Sequence, residues 1–208
     1  MGADADFAVG CTYKYLNGGP GSQAFVWVHP RHHATAEPAL VGWWGHVAPF
    51  AFELAWQPAE GLVRQQSGTQ AILSMVALDA AMDAWADVDM TALQRKSHSL
   101  CQTFIDLVEV SCSRHGLELA GPRAMSQRGS HVSFECHGES PDAGYAVMQA
   151  MIARGIIGDF RAPNIIRFGF APLYNSHVEV WHAAIALVEI MDKRLWDTEV
   201  FLRRKAVT

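Results

Sequence analysis

Apolar residues in this chain fall into separate runs with two different periods. Residues 6–13, DFAVGCTY, and 24–30, AFVWVHP, are short and mostly apolar, and the second is closed by Pro30. Both predict buried strands. Gly18, Gly19, Pro20 and Gly21 lie between them and mark a loop. From about residue 30 to 61 there is no clean period. Proline and glycine punctuate this stretch, yet it holds Trp43, Trp44 and Trp56. Loops this long are commonly functional or disordered, and the aromatic content argues for order.

A helical period begins near residue 69. TQAILSMVALDAAMDAWADV, 69–88, predicts an apolar-rich helix with Thr69 or Ser67 as its N-cap. Residues 89–116 predict a second helix. Asp89 is its N-cap, Leu93, Leu100, Phe104, Leu107 and Val108 form its stripe, and Gly116 stops it. HVSFECHG alternates Val132, Phe134 and Cys136 and predicts a half-exposed strand. SPDAGYAVMQAMIARG predicts a helix with a serine cap, proline at its first position and a glycine stop. GIIGDFR and NIIRFGF predict two strands joined by a tight turn at APN, and residues 175–195 predict a closing helix.

The expected fold class is therefore α/β, in two parts. Residues 1–88 supply two strands and a helix, too few to cover both faces of a parallel sheet. Residues 89–208 form an αβαββα unit, a small α+β domain.

Composition narrows the function. Half of the 208 residues are apolar, enough for a sizeable core, and the net charge is −5. That balance argues against an electrostatic nucleic-acid binder; the one basic cluster, LRRKA near residue 204, reads as a solvated helix end. Cys11, Cys101, Cys112 and Cys136 form no C-x-x-C pair and read as free thiols in core or half-buried positions of a reducing compartment. No basic, apolar leader opens the sequence, and no apolar run approaches the roughly 18 residues of a spanning helix. A cytoplasmic protein without a membrane partner is expected.

Few residues carry candidate chemistry. Lys14 sits between Tyr13 and Tyr15, ahead of the glycines, which excludes a Walker A lysine because there the lysine follows them. It is either a strand-end lysine reaching solvent or an amine for Schiff-base chemistry, which desolvation and neighbouring donors would favour. Arg167 lies in the otherwise apolar NIIRFGF, so it is either ion-paired or turned to a pocket, where its fork suits a carboxylate. His29, His32, His33 and His46 match no zinc spacing, and no metal is expected. Trp43 and Trp44 read as core residues, or as indole donors beside a phosphate or ring.

GCTYKYLNGGPGSQAFVWVHP, LVGWWGH, RQQSGT and PNIIRFGFAPLYNS, in that order along nearly the whole chain, resemble kynureninase. That family consists of pyridoxal-phosphate enzymes of the aspartate-aminotransferase fold, homodimeric at full length, that cleave kynurenine hydrolytically to anthranilate and alanine. The resemblance implies that Lys14 carries the cofactor as an imine. It implies that Tyr13 and Trp43 contact the phosphate, with Tyr13 also assisting proton transfer. Thr69 would reach the phosphate across a dimer interface or lie near the substrate, and Arg167 would clamp the substrate α-carboxylate. Family members are about twice this length. By the resemblance, the other half carries the aspartate paired with the pyridinium nitrogen, the ring-stacking aromatic and most phosphate donors. The chain thus resembles the C-terminal half of a fold-type-I pyridoxal-phosphate enzyme: residues 1–88 the end of its large cofactor-binding domain, 89–208 its small domain.

Two alternatives stand beside this reading. One is another fold-type-I enzyme, an aminotransferase or a cysteine desulfurase; no cysteine in an exposed Gly/Ser loop weakens the desulfurase. The other is a catalytically incomplete half that works only with a partner half, through an open sheet edge and apolar patch.

Overall fold

The computed structural model describes residues 4–137, 140 and 142–204. Contacts divide the chain into two compact units, Met1–Val88 and Asp89–Thr208.

The first unit opens with a two-stranded antiparallel ribbon of β1 (Phe7–Cys11) and β2 (Ala24–Val28), in which Phe7 faces Val28 and Cys11 faces Ala24. These strands were expected to be buried. Val28 is, but Phe7, Val9, Phe25 and Val26 are exposed, Val9 at 79%. The apolar run records a side-chain preference; burial needs a second layer, which this unit does not place over the ribbon. Cys11 is likewise exposed rather than half-buried. The long excursion is ordered through short 3-10 turns at Pro30–His32, Trp43–Gly45 and Gly61–Gln65. The helix α1 spans Ile72–Asp83, shorter than the expected 69–88. Its N-cap is Ala71, with no side-chain cap, and neither Thr69 nor Ser67 serves. None of its residues is buried.

The second unit holds the core. Asp89 caps α2 (Met90–Cys112), its carboxylate accepting the Thr91 N–H at 2.8 Å. Leu100, Phe104 and Val108 of the expected stripe are fully buried, whereas Leu93 and Leu107 are half-buried. A 3-10 turn over Ser113–His115 leads to Gly116, whose φ of 76° is left-handed. A Cβ there would lie 2.6 Å from the His137 carbonyl oxygen, so glycine is required. The next element, β3 (Leu117–Leu119), was not expected, since three residues carry no readable period. It pairs with β4 (His131–Cys136), whose Val132, Phe134 and Cys136 are buried in alternation as predicted.

Helix α3 (Ala143–Ala153) starts later than expected, with Asp142 at the N-cap position. The Ser140 hydroxyl nonetheless accepts the Asp142 N–H at 3.2 Å, while Pro141 lies outside the described residues. Strands β5 (Asp159–Arg161) and β6 (Ile165–Gly169) are a hairpin across Ala162–Asn164. The sheet is antiparallel, in the order β3-β4-β6-β5. Helix α4 (His177–Asp192) opens with a full capping box: Ser176 Oγ accepts the Glu179 N–H, and the Glu179 carboxylate accepts the Ser176 N–H. A short α5 (Glu199–Leu202) follows. Arg203 and Arg204 of the basic cluster are exposed, Arg204 pairs with Asp142, and Lys205 lies outside the described residues.

Phe104 of α2 lies against Phe134, Phe168 and Phe170, with ring centroids 4.8–6.2 Å away. Every member of the buried apolar cluster belongs to this second unit. Among the described residues the first unit adds only Val28 and Ala59 to the buried apolar set.

Candidate active site

Lys14 stands on the turn that follows β1 and is exposed. The turn is held by backbone bonds from Asn17 N–H to the Lys14 carbonyl (2.9 Å) and from Gly18 N–H to the Thr12 carbonyl (3.0 Å). The buried Thr12 hydroxyl braces the far side of the loop, 2.6 Å from the Ser22 hydroxyl and also bonded to the Gln23 carbonyl. Gly18 permits this brace, because a Cβ there would overlap Ser22 Oγ at 2.3 Å. The glycines after the lysine thus serve the loop's own closure. Lys14 Nζ lies 4.9 Å from the centre of the Tyr13 ring, also exposed.

One further segment meets this loop, and a second meets that segment in turn. Gln23 Nε2 donates to the Ala71 carbonyl at 3.2 Å, two residues beyond Thr69. Gly42 approaches Ser67 so closely that a Cβ would lie 1.8 Å from its carbonyl oxygen, and Gly68 passes Trp43 Nε1 at 3.9 Å from its own notional Cβ. The structure therefore brings the Trp43 and Thr69 segments together and ties the Lys14 loop to the same strand of backbone. Trp43 packs edge-on against Trp44 (4.7 Å) and Phe50 (5.9 Å) and borders a cleft of about 340 Å³ lined also by His46, Phe52 and Trp56. Among the described residues, the Tyr13 hydroxyl, Trp43 Nε1 and the Thr69 hydroxyl make no hydrogen bond. They are three donors open to an acceptor.

The histidines are absorbed locally. His46 Nδ1 accepts the Ala48 N–H at 2.9 Å and its Nε2 lies 3.3 Å from the Ala55 carbonyl. His32 lies 2.6 Å from Asp6, and His33 lies 2.9 Å from the Val28 carbonyl. Among the described residues no group of three potential metal ligands converges.

Arg167 belongs to the second unit, on β6. Its Nε and Nη2 donate to the two carboxylate oxygens of Asp159, at 3.1 and 2.5 Å. Of the two open alternatives, the ion pair is realised. Sequence reasoning did not name Asp159, yet a signal existed: a hairpin centred on Pro163 sets residue 159 opposite 167. Burial pushes the Asp159 carboxyl up, but hydrogen bonds from Arg167 and Arg161 outweigh it and hold the group below its ordinary range.

Residues 93–187 match the family described as the kynureninase C-terminal domain. A kynureninase of Burkholderia mallei (strain SAVP1) is 53% identical over 207 residues, covering 100% of this chain and 49% of that protein. One from Pseudomonas fluorescens is 51% identical over 206 residues, covering 99% and 48%. Among solved structures, a cysteine desulfurase from Thermococcus onnurineus NA1 superposes with a TM-score of 0.71 at 20% identity, over 91% of this chain and 48% of that one. A C-DES variant with glycine linked to its PLP cofactor gives 0.67 at 19%, over 89% and 46%. At such identities these two show the fold alone, that of the C-terminal part of a fold-type-I pyridoxal-phosphate enzyme. The chain spans about half the length of the curated relatives it matches, and along its whole length it belongs with the C-terminal portion of the kynureninases.

Proposed function

We propose that this chain carries the lysine and carboxylate-binding parts of a kynureninase. The reaction is hydrolytic Cβ–Cγ cleavage of L-kynurenine or 3-hydroxykynurenine, giving (3-hydroxy)anthranilate and L-alanine in tryptophan catabolism. The observation that carries this reading is the match at 53% identity over 207 residues, which spans the chain from end to end. The desulfurase alternative rests on structures at about 20% identity, more distant than the kynureninases at 51–53%.

The residues fit pyridoxal phosphate by their chemistry. A primary amine on an exposed turn suits an aldehyde, and three unengaged donors suit phosphate oxygens. When bound, the cofactor supplies the electron sink for carbanion chemistry. Lys14 Nζ holds the cofactor and moves the proton at the substrate Cα. Tyr13 Oη, Trp43 Nε1 and Thr69 Oγ1 donate to the phosphate, and Tyr13 assists proton transfer. Arg167 binds the α-carboxylate. The proposed setting is a cytoplasmic homodimer with a small-molecule substrate. Among the described residues no helix is long and apolar enough to cross a membrane.

The test is reduction with borohydride in the presence of pyridoxal phosphate, followed by mapping of the adduct. We expect a pyridoxyl adduct on Lys14 that Lys14→Ala loses. An adduct unchanged in Lys14→Ala removes the lysine from its role.

A second reading is favoured by the exposed apolar side chains of β1, β2 and α1. In it the chain acts only with a polypeptide matching the remaining half of its relatives. It predicts a Lys14 adduct and kynurenine turnover only when that polypeptide is added.

A further inference from the structure

The Arg167–Asp159 pair has a geometry that an ordinary surface ion pair does not require. Asp159 sits on β5, the edge strand of the sheet, directly opposite Arg167 on β6. Gly158 lets the edge strand close in here, since a Cβ would lie 2.8 Å from the Arg167 carbonyl oxygen. Asp159 takes the side-on edge of the guanidinium, Nε and Nη2, with both oxygens. The end-on edge keeps Nη1, which makes no hydrogen bond among the described residues. Arg161 Nη2 also donates to Asp159, at 3.1 Å. One carboxylate between two guanidiniums leaves the cluster cationic. Its three side chains are 36–61% exposed, so pairing adds little to stability and leaves the site open to a ligand.

We propose that Asp159 is a positioning residue. It locks the guanidinium plane of Arg167 by its side-on edge, so that the end-on edge is presented to a ligand carboxylate. This rests on the reading of Arg167 above as the α-carboxylate site. A guanidinium can serve two carboxylates, one on each edge, and fixing it on the first removes the rotamer freedom that binding the second would otherwise cost. Arg161 keeps the net charge attractive to an anion although Asp159 is ionised.

The opposite role is that of a carboxylate competing with the ligand for Arg167. The two roles differ in sign, so one experiment separates them. The Arg167 Nε–Hε resonance is followed by NMR in the full chain during titration with L-kynurenine, and in parallel with kynuramine, which differs by lacking the α-carboxylate. For the wild type we expect a saturable shift with kynurenine and none with kynuramine. Asp159→Ala should weaken kynurenine binding about tenfold, and Asp159→Asn, which keeps one acceptor and the side chain's shape, by less. Retained dispersion of the backbone amide spectrum shows that each variant is folded. Tighter or unchanged kynurenine binding in both variants overturns the positioning role and leaves Arg167 as the carboxylate site. A wild-type chain that responds alike to both probes overturns the reading of Arg167, and the role of Asp159 falls with it.

Discussion

The two units use apolar residues in opposite ways. In the second, Phe104, Phe134, Leu100 and Leu187 are withdrawn from water almost completely. In the first, Val9, Leu40, Phe52 and Leu73 are exposed at 79%, 81%, 86% and 88%. Apolar content is not what separates them, since α1 is as rich in Ile, Leu, Met and Val as α4. The difference lies in whether another layer stands opposite. Helices α2 and α4 pack on each other and share one core with the sheet. Helix α1 buries none of its residues. An apolar pattern states what a segment would bury, and only a partner decides whether it does.

The largest expected effect is a core truncation in the second unit. Phe104→Ala removes a ring fully buried against three others and should cost about 3–5 kcal/mol. Leu73→Ala on α1 should change stability by no more than about 0.5 kcal/mol. Urea unfolding followed by amide exchange in each helix reads both. A Leu73 variant as costly as the Phe104 variant would break the contrast, because something would then cover α1 in solution.

Capping gives a smaller test of the same comparison. Ser176→Ala dismantles a complete capping box and should cost about 1 kcal/mol, read at the α4 amides. Ser67→Ala should leave α1 untouched, because Ser67 caps nothing. Equal losses would place the start of α1 where the sequence pattern put it.

The smallest effect is electrostatic. Hydrogen bonds from His32 and Arg31 lower the Asp6 carboxyl from 3.8 to about 2. A depressed carboxylate contributes its stability above the ordinary value and loses it as pH falls through the lowered one. The Asp6 contribution should therefore be intact above about pH 4 and fade towards pH 2. A carboxyl ¹³C titration with its midpoint near 3.8 would dissolve the Asp6–Arg31–His32 cluster.

Much was legible before any coordinates. Asp89, Gly116 and Gly155 mark helix ends because each answers a local need, an acceptor for end N–H groups or a left-handed φ. Val132, Phe134 and Cys136 alternate because a strand with one buried face must. The Lys14 loop and Arg167 stood out as charges among apolar and glycine-rich neighbours. Other features were not legible, for stated reasons. Strand β3 is too short to show a period. The caps expected for α1 are not realised, because the helix begins at Ile72 and its N-cap position falls on Ala71, which has no side-chain acceptor.

The sequence by itself determined most of the local elements and the kinship with kynureninases. These follow from short-range sterics, periodicity and residue identity. Only the tertiary structure decided which apolar faces are covered, that Thr12 and Ser22 brace the lysine loop, and that Asp159 grips one edge of Arg167. Those outcomes depend on residues distant in the chain meeting in space, and burial and hydrogen-bond pairing are properties of the meeting, not of either partner.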